Sequence, residues 1–132
     1  MLKFVSTDAE YIARSASFFW WKRVYTGKPF VGLTDDQKRA VLAHETYHVM
    51  AHHTEMRIVA LFCPFVIPWL CKKQEFDADE CAAWAGYRAE LIEMLEKSVI
   101  NDGPYHPTNF ERIQRLKNFD PSPSRMYSPG PA

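Results

Sequence analysis

An excess of charge of either sign is what this chain lacks most clearly. Its 132 residues include sixteen lysines and arginines and sixteen aspartates and glutamates, which cancel. A balanced chain gives no sign of the basic surface that nucleic-acid binding requires, so we expect no nucleic-acid partner. One domain with one hydrophobic core is the natural organisation at this length. We predict that residues 1–119 form this domain and that residues 120–132, rich in proline and serine, are a disordered tail.

Paired cysteines are also missing. The three cysteines are an odd number and include no Cys-x-x-Cys pair, so we expect reduced thiols in a cytoplasmic setting. The first residues have no long apolar stretch ahead of Asp8, which predicts that no signal peptide is present.

No apolar run is long enough to predict a membrane span. Residues 58–71, from Ile58 to Cys71, are uncharged, but two prolines interrupt them, and a spanning helix needs about 20 residues. Residues 18–21, from Phe18 to Trp21, are four aromatics followed by two basic residues, a combination typical of a membrane interface. Two interpretations stay open. Both segments form buried core or the wall of a groove in a cytoplasmic protein, or they hold it peripherally at a membrane.

The first third of the chain carries local signals for a helix and a hairpin. Thr7 and Glu10 form a capping-box pattern, which predicts a first helix that runs towards Ser17. Residues 24–31 predict a hairpin or extended pair that turns at Gly27. Pro29 cannot donate to a ladder, so its strand is expected at an edge.

The rest of the chain is predicted to be helical. A second capping box, Thr34 with Gln37, predicts a helix that continues to about Glu55. Apolar residues at helical spacing predict a third helix over about residues 72–99, and a short last helix after Pro107. The expected fold class is therefore α+β, with about four helices and a small antiparallel sheet or hairpin.

The helix after Thr34 contains the sequence His44-Glu45-Thr46-Tyr47-His48. Positions i and i+4 share one helix face, where two imidazoles can bind one zinc ion at about 2.0–2.1 Å per bond. Glu45 lies beside them and can take a proton from a metal-bound water. A shuffled chain of this composition would contain HExxH roughly 0.01 times. The alternative is an amphipathic helix with two surface histidines.

A zinc site of this kind needs a third ligand from the chain. The form HExxHxxGxxH is excluded, because Ala51 and Thr54 occupy its glycine and third histidine. Glu75 and Asp79 lie four residues apart on one face of the third predicted helix. Glu75 would bind zinc, and Asp79 would reach the free N–H of an imidazole, expected to be His44. The alternative is a pair of surface acids at a helix N-terminus.

Three motifs in order resemble a known family. They are residues 41–48 with HExxH, residues 75–79 with Glu75 and Asp79, and a late His106-Pro107 followed by Glu111-Arg112-Ile113. The pattern resembles the gluzincin zinc metalloproteases, which include the CAAX prenyl endopeptidases and the heat-shock protease of the bacterial inner membrane. The likeness spans roughly residues 28–118, and the short chain is similar to the compact members called minigluzincins.

The resemblance implies a zincin-like fold and a zinc-dependent endopeptidase that acts on a peptide or protein substrate. It implies one Zn²⁺ ion, with Glu45 as general base and three ligands: His44, His48 and Glu75. His53 matches a frequent histidine of the family, for which a structural role is expected.

The resemblance also implies roles around the metal. His106 would lie near the site and steady the oxyanion or the metal. Arg112 would pair with an acid of the zinc-binding helix. Substrate would lie extended along an edge strand that borders the active-site cleft, formed by Phe30, Val31 and Gly32.

A second class of function stays open beside the peptidase. Tyr47 occupies a position where the family usually has a small residue, and His106 could fill the open zinc position. Such a self-blocked zincin scaffold would act by binding or regulation, including at a membrane surface. It would show zinc with four protein ligands and no water.

Overall fold

The computed structural model describes residues 1–98 and 103–121. Within them the chain forms three strands, a short 3₁₀ turn at Pro64–Val66 and six α-helices. The strands are β1 (Leu2–Ser6), β2 (Ala13–Phe18) and β3 (Trp21–Thr26). The helices are α1 (Lys28–Val31), α2 (Asp35–Met50), α3 (His53–Ala60), α4 (Ile67–Trp84), α5 (Arg88–Lys97) and α6 (Asn109–Lys117). The predicted α+β class, mainly helical with a small sheet, is confirmed, with six described helices where about four were expected.

The sheet is mixed, which corrects the expected antiparallel sheet. Its strand order is β1-β3-β2, so β1 and β2 are the edges. β3 pairs in parallel with β1, from Leu2↔Lys22 to Ser6↔Thr26, and antiparallel with β2. The pairing of β1 with β3 joins segments far apart in sequence, which local patterns do not reveal.

The helix predicted from Thr7 is absent, and that prediction is wrong. The Thr7 backbone N–H and hydroxyl both donate to the carbonyl of Thr26, at 2.7 and 3.1 Å. Thr7 therefore prolongs the pairing of β1 with β3 and does not cap a helix. Residues 7–12 cross to the other edge of the sheet, where Ala13–Phe18 form β2.

The hairpin predicted at Gly27 is wrong too. A Cβ on Gly27 would lie 1.8 Å from the backbone oxygen of Tyr11, so the glycine is there to allow close approach of the chain. Lys28–Val31 form α1, with Pro29 in its first turn, where its missing N–H leaves no bond unmade. Phe30, Val31 and Gly32 accordingly belong to a helix and its C-cap, not to an edge strand.

The capping box at the start of α2 is confirmed. The Thr34 hydroxyl accepts from the Gln37 N–H at 3.2 Å, and the Gln37 side chain accepts from the Thr34 N–H at 3.0 Å. The helix ends at Met50, before the expected Glu55, because His52 adopts a left-handed conformation with φ 56°. The chain then restarts as α3.

The single helix predicted over about residues 72–99 is two helices. Gly86, at φ 99°, ends α4. The Gly86 N–H bonds to the Ala83 carbonyl and the Tyr87 N–H to the Ala82 carbonyl, both at 3.0 Å, which is a Schellman motif. The last helix after Pro107 is confirmed as α6, and Thr108 with Glu111 forms its capping box. Residues 99 and 122–132, where a helix end and the tail were predicted, lie outside the described residues.

Small residues let the helices that carry the site approach one another. Ala40 of α2 and Ala82 of α4 have no exposed surface. They belong to a buried apolar cluster between α2, α4, α5 and α6: Ala40, Ala82, Ala83, Leu91, Leu95, Leu116 and Phe119. Close contact of α2 with α4 sets the distance between the residues of the site.

Across residues 1–98 and 103–121, no helix combines the length and the apolar character that crossing a membrane would need.

Candidate metal centre

Three donor groups from two helices converge on one point. His44 and His48 lie one turn apart on α2, and Glu75 lies on α4. The two Nε2 atoms are 3.1 Å apart. His44 Nε2 is 3.3 Å from Glu75 Oε2, and His48 Nε2 is 3.3 Å from Glu75 Oε1. The HExxH helix and the later glutamate are therefore brought together as expected.

This triangle fits a tetrahedral metal ion. Bonds of about 2.0–2.1 Å at tetrahedral angles separate neighbouring donor atoms by roughly 3.3–3.4 Å. The three observed distances, at 3.1, 3.3 and 3.3 Å, are close to that separation, and the two that involve Glu75 end on its two different oxygens. Two imidazole nitrogens and one carboxylate oxygen form a donor set typical of catalytic zinc, which retains a fourth position for water or substrate.

His44 is held from behind by a chain of charged groups. Its Nδ1 lies 2.9 Å from Asp79 Oδ1. Arg112 of α6 donates to both oxygens of Asp79, from Nε at 2.7 Å and from Nη2 at 2.6 Å. The expected contact of Asp79 with His44 is present, and Arg112 pairs with an acid of the helix that carries Glu75. Such outer contacts fix the tautomer and orientation of a metal-binding imidazole.

His48 is held from behind by another histidine. Its Nδ1 lies 2.8 Å from Nδ1 of His53, the first residue of α3. The backbone carbonyl of His53 accepts from the side-chain amide of Gln74 at 3.2 Å, and Gln74 is almost fully buried. Tyr47 packs edge-on against the other side of His53, with ring centroids 5.3 Å apart. His53 therefore has a defined position from which it contacts His48.

The electrostatics of the site favour a positive charge between the donors. Burial works against a charged His44, but the carboxylates of Asp79 and Glu75 outweigh it and raise the pKa of His44 to about 10. Burial alone would raise the pKa of Glu75, but the two neighbouring histidines outweigh it and hold the pKa well below its ordinary value. Asp79 is likewise buried, and Arg112 and His44 depress its pKa. A divalent cation would supply the charge that these carboxylates attract.

His53 is held in its neutral form. Burial first, and the nearby His48 and Arg57 second, lower the pKa of His53 to about 4. A neutral imidazole has one nitrogen that accepts. If His48 bound a metal through Nε2, its Nδ1 would carry the proton and could donate a hydrogen bond to Nδ1 of His53.

An open cavity of about 870 Å³ leads to the three donors. Glu45, the expected general base, lies on its wall, as does His106. Arg57 of α3 also lines it, with Nη2 3.8 Å from Glu75 Oε1 and Nε donating to Gln74 Oε1 at 2.6 Å. Sequence reasoning missed Arg57, because its position depends on the break at His52.

The strand that borders the cavity is β2. Ala13, Arg14 and Ser15 line it, and β2 is an edge of the sheet. Phe30, Val31 and Gly32 lie in α1 and its C-cap and are not among the lining residues, so the edge strand expected there is absent. Alanine and serine are poor strand formers, which is why residues 13–18 carried no strand signal.

Neither residue suspected of blocking the site is one of the donors. Among the described residues, the group that can hold a metal consists of His44, His48 and Glu75 and does not include His106. Tyr47 does not line the cavity. Burial and the nearby Asp77 of α4 raise the pKa of the Tyr47 hydroxyl, which is consistent with a side chain turned towards α4.

Comparison of the chain with protein-family models, with curated proteins and with solved structures finds no match, so its function is argued from the residues of this site.

Proposed function

We propose that this protein is a zinc-dependent endopeptidase. The observation that carries the proposal is the buried group of His44 Nε2, His48 Nε2 and the Glu75 carboxylate, whose two oxygens each face one of the imidazoles, beside an open cavity. A closed structural zinc site uses four protein ligands, whereas three ligands beside a cavity are typical of catalytic zinc. The same residues carry the likeness to the gluzincin metalloproteases.

The residues of the chain have distinct tasks in peptide hydrolysis. Bound zinc would lower the pKa of a water ligand and polarise the scissile carbonyl. Glu45 would serve as the general base that accepts a proton from the attacking water and as the acid that returns it to the leaving amine. Residues 13–15 of β2 offer an extended peptide a strand to pair with, which would orient the scissile bond across the cavity. His106, on the cavity wall, is available to steady the developing oxyanion.

Replacement of Glu45 tests this proposal. Glu45→Gln keeps the size of the side chain but removes the base, so we expect kcat/KM to fall by about 10²- to 10⁴-fold while zinc content is unchanged. Cleavage is measured by mass spectrometry on an unstructured peptide library with the zinc-loaded chain, and zinc by elemental analysis. The matched control is Glu93→Gln, an exposed glutamate that pairs with Lys97.

Two results would contradict the proposal. One is undiminished cleavage by Glu45→Gln. The other is a zinc-loaded wild-type chain that cleaves nothing and shows four protein ligands by X-ray absorption, as the self-blocked scaffold requires. The three donors found among the described residues support the open site.

A further inference from the structure

Two segments expose large apolar side chains. The aromatic tip, residues 18–21, forms the turn between β2 and β3, and Trp20 at its end is 83% exposed. The apolar segment, residues 58–71, joins α3 to α4, and Phe62 and Phe65 are 94% and 83% exposed. Leu70 and Cys71, at the end of the apolar segment, are buried, and Val59 and Leu70 line a groove. The expectation of a buried core or a groove wall therefore holds for part of the apolar segment and not for the aromatic tip, whose four side chains are exposed. Scattered exposed apolar residues need no explanation, but clusters of aromatics do.

The two segments are linked through α3. The Ser17 hydroxyl, next to the aromatic tip, donates to the Glu55 carboxylate at 2.7 Å and is almost completely buried. This contact fixes the end of β2 against the first turn of α3. The apolar segment begins in the last turn of α3. Met56 and Val59 of α3 line a shallow apolar groove together with Leu70 of α4. The tip and the segment therefore flank the same helix.

In the sequence, the two segments and the residues that flank them carry charge of one sign. Residues 11–34 and 56–74 contain no aspartate or glutamate, although the whole chain is neutral. They contain seven basic residues: Arg14, Lys22, Arg23, Lys28, Arg57, Lys72 and Lys73. All the acidic residues that balance the chain lie elsewhere. Three of the seven pair with acidic residues: Lys28 with Glu10, Arg57 with Glu75 and Lys73 with Asp77. The other four, Arg14, Lys22, Arg23 and Lys72, leave an excess of positive charge near the exposed aromatics, which complements an anionic surface.

The turn of the aromatic tip is strained. Phe18 pairs with Trp21, which leaves a two-residue turn, and Phe19 adopts φ 51° in it. Such turns favour asparagine and glycine, and a bulky residue at positive φ is an outlier. Strain of this kind persists where a side chain is needed for function. Here it presents Phe19 and Trp20 to the exterior.

We propose that the aromatic tip and the apolar segment dock the protein peripherally on an anionic lipid surface. Tryptophan and phenylalanine insert at the boundary of headgroups and acyl chains, and basic residues bind the lipid phosphates. A second copy of the chain fits this surface less well. A two-fold dimer would place each patch against its own equivalent and oppose basic residues with basic residues. The proposal does not rest on the metal or on peptidase activity.

Vesicle co-sedimentation of the full, zinc-loaded chain tests the proposal. We expect it to pellet with vesicles of phosphatidylcholine mixed with phosphatidylglycerol, at least about tenfold more than with phosphatidylcholine alone. High salt should reduce this binding. Trp20→Ser and Phe62→Ser, each at an exposed position, should each lower the bound fraction severalfold. The matched control is Phe110→Ser, which removes an aromatic that is 71% exposed on α6.

Tryptophan emission gives an independent readout, because three of the four tryptophans lie in the two segments. A blue shift on anionic vesicles that is smaller in Trp20→Ser supports docking. A chain that stays in the supernatant with both vesicle types overturns it. So does equal loss of binding in Phe110→Ser. A concentration-dependent dimer that Phe62→Ser dissociates, without vesicle binding, would instead identify a second copy as the occupant.

Discussion

Both histidines of the HExxH motif present the same nitrogen, Nε2, to Glu75, and each has a different partner at Nδ1. Behind His44 stands the carboxylate of Asp79, itself fixed by Arg112. Behind His48 stands His53, a neutral ring. A carboxylate raises the basicity of an imidazole more than a neutral acceptor does. The two imidazoles are therefore held by different kinds of partner, although the HExxH motif presents them as equivalent.

The contact between His53 and His48 predicts an effect on zinc affinity. His53→Ala removes the acceptor for His48 Nδ1–H and should weaken zinc binding by about 10- to 100-fold. His53→Gln retains an acceptor oxygen and should recover part of the loss. Affinity is measured by competition with a chromogenic chelator. The control is His52→Asn, because His52 is exposed and asparagine tolerates its left-handed conformation. Unchanged affinity in His53→Ala would show that His48 needs no support from this ring.

Residue-level prediction succeeded where the signal is short in sequence. Glu75 and Asp79 were found because four residues on a helix define a face, and the same rule gave His44 and His48. For His53 only a structural role was expected, and Arg57 was not expected to lie beside the site. Both follow the left-handed residue His52, and neither composition nor periodicity predicts that conformation.

At the scale of elements, local caps were predictable and distant pairing was not. The capping boxes at Thr34 and Thr108 pair backbone N–H groups with side chains no more than three residues away, and α2 and α6 begin there. Thr7 has the same pattern, but pairing of β1 with β3 takes its polar groups. The end of α4 at Gly86 was missed, because the apolar pattern continues on both sides of this glycine. β2 was missed because it is built largely of small residues.

The close approach of Gly27 to the backbone of Tyr11 predicts a large loss of stability when a side chain is added there. Gly27→Ala would place a Cβ 1.8 Å from the Tyr11 oxygen, in the segment that leads into β2. We expect a loss of about 2 kcal/mol or more in the free energy of unfolding, measured by urea denaturation. Gly103→Ala is the control, because a Cβ there meets no atom within 4 Å. Equal stability of the two variants would mean that the segment around Tyr11 moves aside at little cost.

Considered as a whole molecule, the protein should be more stable with zinc than without it. The three donors come from α2 and α4, and a ligand that binds only the folded chain stabilises it by mass action. At free zinc about a hundred times its Kd, this gain is about 2.7 kcal/mol, which corresponds to a rise in Tm of roughly 10 °C for a chain of this size. Differential scanning fluorimetry with zinc and with EDTA measures it, and magnesium is the control ion. Unfolding at the same temperature in zinc and EDTA would contradict a site that links the two helices.

The size of that zinc effect should depend on pH, and its sign follows from His44. Its pKa is about 10 in the folded metal-free chain, against an ordinary value of about 6.5. The folded chain thus binds this proton more tightly than the unfolded chain does. Protonation of His44 therefore stabilises the folded metal-free chain. This stabilisation is fully present below about pH 6.5 and is lost as pH rises towards 10. Zinc binds only the deprotonated ring, so its affinity increases over the same interval. The difference in Tm between the zinc-loaded and EDTA-treated chains should therefore widen from about pH 6.5 to about pH 9. A constant or narrowing difference would mean that the proton and the metal do not compete for His44.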